Sequence, residues 1–483
     1  FRFPKSTAFG NLKLNRNYHA IIVANFSKWE YNAFSFEELM MTAAIVLSVI
    51  AAAGTILSIV FLPEVKIKGK RIPVFFVVPV ISAILIIALN VLTFREAWDG
   101  LTGDMASMFH GRNSVNPVKI LLLFFGMTTV SVFLDEAGVF RFLATKSMKL
   151  AGHSRTKLFF ILYGVVSILT VFTSNDIIIL TFTPFICYFC KNADIDPVPY
   201  LVTEFVAANT FSMFFIIGNP TNIYLAESFH ITFSGYLKVM ALPTIFGGLC
   251  ALLVLYLLFK KQFKEEIPVS EVETAKIEKP YLAIFGAVLL IICLVFLIIA
   301  DYVGIEMWAV ATCAFLLLVV GALVIAAVKK EKPTELPNVF KRLPYELIPF
   351  VISMFIVVLS LKKTGVSQKI ADVFGAAGER YDILTYGVSS TLVANLINNI
   401  PMSVLYSAIT ETASPFAVYA SVIGSNIGAF LTPVGALAGI MFTGLLKNLD
   451  VKFSFLDFLK YGVVVALPTL FATLAGLYVV YFL

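Results

Sequence analysis

The sequence predicts an all-α polytopic membrane protein with about ten transmembrane helices and two re-entrant helical hairpins, arranged in two inverted repeats. Three observations lead to this prediction. Of the 483 residues, 59% are hydrophobic and 14% are charged, whereas roughly 25% are charged in an average soluble domain. Many apolar runs are long enough to cross a bilayer. Polar clusters interrupt the apolar sequence at matching places in the two halves.

Charge and motif content exclude several classes of function. The net charge of +6 comes from lysines and arginines that are spread among the loops, so it does not indicate a nucleic-acid partner. The chain has no G-x-x-x-x-G-K-[ST] phosphate loop, and its histidines have no zinc-ligand spacing. We therefore expect no enzyme activity, no ATP hydrolysis, and no bound cofactor or metal.

The domain organisation is predicted from the spacing of the apolar runs. Residues 1–38 are an N-terminal extension of mixed polarity, in which we predict neither a signal peptide nor a span. We expect the first repeat at 39–262, a cytoplasmic linker at 263–280 and the second repeat at 281–483. The expected spans are 39–62, 73–94, 117–134, 199–217, 235–259, 281–300, 304–328, 346–361, 415–430 and 458–483.

Two further apolar stretches, 158–190 and 383–410, have a polar cluster at their centre. The first would be roughly 50 Å long as a single helix, although the hydrocarbon core is only about 30 Å thick. A hairpin that enters and leaves on one side can use that length, because its polar tip is buried in protein. We predict a re-entrant hairpin for each stretch.

The basic residues predict the orientation in the membrane. Short cytoplasmic loops are enriched in Lys and Arg, and the connections at 66–71, 141–157, 260–264 and 329–342 are basic. This pattern predicts a cell (cytoplasmic) membrane protein with both termini outside. The lysines and arginine within 362–380 are an exception to it.

A weak internal repeat relates the two halves. Each half would contain an odd number of spans, so the second half would insert upside down, as in many secondary transporters. The matching positions are Gly138 with Gly365, Asn175 with Asn398, and Asn209 with Asn426.

Four polar breaks at matching places, at 173–176, 218–222, 395–401 and 424–435, carry the candidate site. Unwound backbone frees carbonyl groups for a cation, and the start of the next half-helix offers N–H groups to a polar solute. The alternative is that Pro and Gly simply kink the spans. The candidate substrate- and ion-binding residues are Thr173, Ser174, Asn175, Asn219, Thr221, Asn222, Asn398, Asn399, Ser425, Asn426 and Thr432.

Asp176 is the carboxylate among these breaks, and its counterpart in the second half is Asn399. A carboxyl group in apolar surroundings can exchange a proton for a substrate or Na⁺. We therefore predict that Asp176 is the coupling acid. The alternative is that Asp176, with Thr173 or Ser174, caps the second arm of the hairpin.

Two other features favour structural interpretations. Glu204 closely follows Pro199, so we expect it near the interface as a snorkelling or paired surface residue. Cys187 and Cys190 are three residues apart and resemble a soft-metal ligand pair. We interpret them instead as small apolar residues, because tight thiolate ligation would prevent a carrier from releasing its cargo.

Several motifs resemble those of the ArsB-type arsenite/antimonite efflux permeases. They are Asn-Asp at 175–176, Asn-Asn-Ile-Pro at 398–401, Gly-Ser-Asn-Ile-Gly at 424–428, Leu-Thr-Pro-Val-Gly-Ala-Leu-Ala at 431–438 and Phe-Leu-Lys-Tyr-Gly at 458–462. The wider ion transporter superfamily also contains NhaD-type sodium/proton antiporters and sodium-coupled dicarboxylate carriers.

The resemblance implies secondary active transport by elevator-like alternating access, with arsenite or antimonite exported in exchange for protons. It also implies a homodimer in many members, and a separate ATPase subunit on the basic inner loops is left open as a partner. Gly-Asn-Pro-Thr-Asn at 218–222 is closer to the carboxylate carriers. The alternatives are therefore a sodium/proton antiporter or a sodium- or proton-coupled organic-anion carrier.

Overall fold

The computed structural model describes residues 16–62, 64–67, 70–102, 116–268 and 275–483. Within these residues the chain forms helices joined by short turns, with one small β-hairpin. The helices are α1 (Arg16–Phe61), α2 (Val77–Ala88), α3 (Phe94–Thr102), α4 (Pro117–Glu136), α5 (Val139–Ala151), α6 (Arg155–Phe172), α7 (Asn175–Asn192), α8 (Val198–Phe211), α9 (Pro220–Ser228), α10 (Phe233–Phe259), α11 (Pro280–Val303), α12 (Met307–Lys329), α13 (Glu335–Arg342), α14 (Leu347–Lys363), α15 (Val366–Gly375), α16 (Asp382–Ile397), α17 (Asn399–Ile409), α18 (Pro415–Gly428), α19 (Leu437–Asn448) and α20 (Phe455–Phe482). The antiparallel strands are β1 (Glu64–Ile67) and β2 (Lys70–Pro73).

The predicted all-α polytopic fold class is confirmed. Among the described residues, 8 helices are long and apolar enough to cross a membrane. Three expected spans are shorter helices: α2 with 12 residues, and α8 and α18 with 14 residues each. α8 and α18 are short because a polar break follows each of them.

Helix α1 extends into the predicted N-terminal extension. The structure describes this helix from Arg16 onward. The helix is continuous to residue 38 because the segment contains neither Pro nor Gly to interrupt it. Residues 1–15 of that extension, together with Lys68, His110 and residues 269–274 of the predicted linker, lie outside the described residues.

α8 and α18, the two short helices that a polar break follows, lie at the centre of the bundle. α8 packs against α6, α7 and α10, and α18 packs against α16 and α20. Nearly all side chains of α8 and α18 are buried. α11 and α12 instead expose large apolar side chains such as Ile291, Val295, Leu316 and Val320, as expected of helices that face lipid.

Corresponding elements recur in the same order in the two halves. α5 and α15 each follow a glycine in the left-handed conformation, Gly138 (φ 84°) and Gly365 (φ 75°). α8 and α18 have equal lengths and are each followed by a 3-10 turn, Ile216–Gly218 and Pro433–Gly435. The inversion of the second half across the membrane stays a prediction.

The first part of the predicted linker is attached to the start of α6. The backbone N–H of Ile267 donates to the carbonyl of His153 (2.8 Å). The guanidinium of Arg155 pairs with Glu265 (2.6 Å). These contacts place this end of the linker against the first half of the chain.

The Glu96 carboxylate links α3 to the end of α14. This contact predicts that the stability of the folded protein depends on pH. Its carboxylate accepts hydrogen bonds from Lys363 Nζ (2.7 Å) and Thr93 Oγ1 (2.8 Å). The hydrogen bond from Lys363, followed by those from Thr93, lowers the pKa of Glu96 from 4.5 to about 2. A carboxyl group whose pKa is lower in the folded protein stabilises the folded state at pH values above its ordinary pKa of 4.5. This stabilisation is lost as the pH falls through the lower pKa of about 2.

We therefore expect part of the stability to be lost as the pH falls from about 4.5 to about 2, and Glu96→Gln to remove that part. The effect should be small because both side chains are partly exposed. The measurement is the thermal unfolding midpoint of both proteins across this range. Asp99→Asn, which changes an exposed carboxyl group on the same helix, is the control. A pH dependence that survives in Glu96→Gln would contradict the assignment.

Candidate functional site

The first polar break joins α6 to α7. Thr173 is extended, and its hydroxyl donates back to the carbonyl of Leu169 in α6 (2.7 Å). Ser174 occupies the N-cap of α7, but its side chain makes no capping hydrogen bond. Among the described residues, neither hydroxyl therefore caps α7, and this part of the alternative interpretation is wrong. A favourable interaction of Asp176 with the start of α7 stays a prediction.

Asn175 and Asp176 begin the first turn of α7. The Asn175 amide is buried and donates from Nδ2 to Asn209 Oδ1 on α8 (3.0 Å). Its Oδ1 is also buried, and it has no partner in the described part of the chain. Asp176 is half-buried, and among the described residues no side chain forms a hydrogen bond or an ion pair with it. The first tip thus offers a carbonyl oxygen and a carboxyl group that no described residue pairs with.

The second tip, between α16 and α17, repeats this arrangement with amides. Asn398 has φ 73° and ψ 153°, a backbone conformation that residues other than glycine rarely adopt. Its Nδ2 donates to the carbonyl of Val434 (2.9 Å), which holds the residue in place. The next residue, Asn399, is buried, yet its side chain has no hydrogen-bond partner among the residues that the structure describes. Asn399 therefore corresponds to Asp176 in its lack of a partner.

The end of α8, the turn that follows it and the start of α9 meet the end of α18 in a buried network of amides and hydroxyls. Asn426 on α18 accepts at Oδ1 from Ser212 Oγ (2.7 Å) and from Asn219 Nδ2 (3.0 Å). Its Nδ2 donates to Asn222 Oδ1 (2.7 Å). The Ser425 hydroxyl donates to Thr221 Oγ1 (2.8 Å). These bonds join residues more than 200 positions apart, so the network holds the two halves together.

Thr432 lies apart from that network, beside the second tip. Its hydroxyl donates to Asn395 Oδ1 (2.6 Å), and Asn395 Nδ2 donates to the carbonyl of Gly428 (3.0 Å). Six of the predicted residues thus belong to one hydrogen-bonded group, namely Asn175, Asn219, Thr221, Asn222, Ser425 and Asn426, to which Asn175 is connected through Asn209 and Ser212. Beside the second tip, Asn398 and Thr432 form separate hydrogen bonds. Thr173, Ser174 and Asn399 belong to neither group.

Three residues in these groups were not among the predicted site residues. Asn209 carries the amide that pairs with Asn175, and its match to Asn426 in the internal repeat was a signal that could have identified it. Asn395 lies within the polar break of the second tip, at 395–401. Ser212 has no comparable signal in the sequence, because its contact with Asn426 depends on how α8 and α18 pack.

Glu204 is not a surface residue, which corrects the prediction made for it. Its side chain is fully buried, and Thr183 Oγ1 of α7 donates to its carboxyl group (3.0 Å). The expectation failed because α8 enters the bundle interior from its first turn. Cys187 and Cys190 are buried in the same region. Within the described residues, no group of three or more His, Cys, Asp or Glu side chains could hold a metal ion.

Close packing around Gly218 makes this turn sensitive to substitution. A Cβ atom on Gly218 would collide with the carbonyl oxygen of Ser212, which accepts a hydrogen bond from Asn222 Nδ2 (2.8 Å). We expect Gly218→Ala to destabilise the protein by about 1–3 kcal/mol, measured by thermal unfolding of the purified protein. Gly164→Ala on α6 is the control, because its Cβ would meet no atom within 4 Å. Equal effects of the two substitutions would contradict this expectation.

Most of the chain is similar to known membrane transport proteins. A family model described as citrate transporter, CitMHS, matches residues 31–421. An arsenical pump membrane protein of Escherichia coli is 27% identical over 380 residues, covering 73% of this chain and 84% of the relative. The arsenical pump membrane protein of Yersinia enterocolitica is 27% identical over 377 residues, with the same coverage.

Two further matches are more distant. An uncharacterized transporter of Synechocystis is 22% identical over 412 residues, covering 79% of this chain and 87% of the relative. The crystal structure of the YdaH transporter of Alcanivorax borkumensis has a TM-score of 0.57 and 13% identity, and covers 92% of this chain and 98% of that one. The second match establishes similarity of fold alone.

Proposed function

The chain belongs to the citrate transporter family CitMHS, and on that premise we propose that it exports arsenite or antimonite by secondary active transport coupled to protons. It is a multi-pass membrane transporter and not an enzyme. The proposed location is the cytoplasmic membrane with both termini outside. The proposed mechanism is elevator-like alternating access, and Na⁺ is the alternative coupling ion.

The observation that carries the proposal is the unpaired carboxyl group of Asp176 at a tip lined by amides. In the described part of the chain, no Lys, Arg or His side chain hydrogen-bonds to the four polar breaks. A multiply charged anion there would meet a carboxylate without a compensating cation. Arsenite as its neutral hydroxide offers only O–H donors and oxygen acceptors, which suit amides and hydroxyls.

A proton on Asp176 and a metalloid hydroxide can then use the site in alternation. When the carboxyl group is ionised it accepts hydrogen bonds from the hydroxide, and when protonated it loses much of that acceptor capacity. Binding of a proton from one side would therefore favour release of the cargo to that side. This competition is sufficient for exchange when alternating access moves the site between the two faces.

The second candidate function is cation-coupled transport of a di- or tricarboxylate. The description of the matching family and the Asn-Pro-Thr-Asn sequence at 219–222 favour it. In that case, a cation bound with the carboxylate would have to offset the charge of Asp176.

The deciding experiment uses the full chain in proteoliposomes with an imposed pH gradient, assayed separately with arsenite, Na⁺ and citrate. We expect accumulation of arsenite that depends on the gradient and is abolished by a protonophore. Gradient-driven citrate flux without arsenite flux would replace the proposal by the second candidate. Na⁺ flux alone would indicate a sodium/proton antiporter.

A further inference from the structure

Glu204 is a buried acid that the proposed transport mechanism does not use. It lies in the middle of α8 with 0% of its surface exposed. The Thr183 hydroxyl lies 3.0 Å from one carboxyl oxygen and 3.2 Å from the other. Among the described residues, no Lys, Arg or His side chain pairs with this carboxyl group. A buried carboxylate that has no paired cation is strongly unfavourable.

The neighbouring helices supply no cation for this carboxyl group. On α7, the Cys187 thiol interacts electrostatically with Glu204. The basic group at the start of α6, Arg155, is paired with Glu265. The other ionisable side chains on the helices that pack against α8 are those of Lys157, Tyr163, Asp176, Tyr188, Cys190, Lys191, Tyr236, Lys238, Cys250, Tyr256 and Tyr419. Among the described residues, none of them forms a hydrogen bond or an ion pair with Glu204.

Glu204 is coupled by geometry to the first tip. Asn209, five residues further along α8, lies about 7.5 Å away along the helix axis and bonds to Asn175. Thr183 is seven residues after Asp176 on α7, about 10 Å along its axis. α7 and α8 are therefore joined at two levels, by Asn175 with Asn209 at the tip and by Thr183 with Glu204 below it.

The Asp196–Tyr200 stripe is the pair of polar residues that precede Glu204 in the chain at four-residue intervals. Asp196 is exposed just before the helix, and Tyr200 is buried one turn later. The Tyr200 hydroxyl has no hydrogen-bond partner in the described part of the chain. Residues four apart on a helix are neighbours on one face, so Tyr200 and Glu204 lie on the same face of α8, and Asp196 lies just before the first residue of the helix.

We propose that Glu204 is a second proton-binding site, separate from Asp176, that takes up and releases its proton through the Asp196–Tyr200 stripe. The protonated carboxyl group keeps α7 and α8 together through Thr183. Loss of the proton leaves a buried charge, which favours separation of the two helices and opening of the first tip. The inference rests on the proposed proton coupling, because it adds a second titrating group to the same transport cycle.

The test is proton uptake by the purified full chain on acidification, followed with a pH-sensitive dye in weakly buffered detergent solution. We expect Glu204→Gln to take up a single proton fewer than the wild type. Infrared difference spectra should show the loss of one band from a protonated carboxyl group. Asp176→Asn is the matched control and should lose a different band, while the variant with both substitutions should lose both.

Further variants keep the proposal testable if Glu204→Gln does not fold. Thr183→Val retains Glu204. It should shift the pH at which the infrared band of the Glu204 carboxyl group titrates, and leave the pH at which the Asp176 band titrates unchanged. Tyr200→Phe should slow the uptake without changing its amount. Unchanged uptake and an unchanged spectrum in Glu204→Gln would overturn the proposal. If Glu204→Gln takes up one proton fewer but the wild type shows no gradient-driven flux, only the proposed function is contradicted, and the second proton-binding site is supported.

Discussion

Replacement of Asp176 by asparagine is expected to reduce gradient-driven flux roughly tenfold or more, which corresponds to a barrier increase of about 1.4 kcal/mol. Asparagine has nearly the same shape but cannot bind and release a proton. Asp176 has no hydrogen bond or ion pair among the described residues, so its replacement leaves no partner unsatisfied. We expect the variant to fold normally. The measurement is arsenite flux in proteoliposomes with and without a pH gradient.

The control for this prediction is Asp99→Asn, which changes an exposed carboxyl group on α3 and should leave the flux unchanged. Asp176→Glu retains the ionisable group and should recover part of the flux. Full gradient-driven transport by Asp176→Asn would leave Asp176 with only a favourable interaction with the α7 helix dipole, worth about 0.3–1 kcal/mol.

Replacement of Asn426 by alanine is expected to destabilise the protein by about 2–6 kcal/mol, because two buried groups lose their partner at about 1–3 kcal/mol each. The two groups are the donor Nδ2 of Asn219 and the acceptor Oδ1 of Asn222. Both connect the first half of the chain to α18. Thermal unfolding of the purified protein measures the stability, and flux in proteoliposomes should be lost as well.

Ser425→Ala is the matched control for this substitution. It removes one hydrogen bond, from the Ser425 hydroxyl to Thr221 Oγ1 (2.8 Å). The Thr221 hydroxyl keeps its own contact with Asn219 Oδ1 (3.1 Å), so the cost should be only about 0.5–1.5 kcal/mol. If both variants unfold at the same temperature, the Asn426 network does not hold the two halves together.

Local sequence was sufficient to place most helix ends at the polar breaks, but not the end of α8. The predicted hairpin at 158–190 corresponds to α6 and α7, which meet at Thr173 and Ser174. α9 begins at the predicted Asn-Pro sequence and α18 ends shortly before the predicted Thr-Pro sequence, whereas α8 ends at Phe211 and not at the expected residue 217. These ends are predictable because Pro, Gly and short polar side chains act on the backbone within a few residues.

The resemblance to ArsB-type permeases is likewise confirmed by the family match and by the relatives named arsenical pump membrane proteins. The re-entrant course of the hairpins, the inversion of the repeats and the roles of the site residues stay predictions.

What the sequence determined by itself is therefore the membrane fold class, the family and the positions of the breaks, since all three follow from composition and short motifs. Only the tertiary structure decided which polar groups pair, as with Asn426 and Asn222, and which have no partner among the described residues, as with Asp176 and Asn399. It also decided that Glu204 is fully buried. The physical reason is that burial and pairing depend on which helices pack together, and such contacts join residues far apart in the chain.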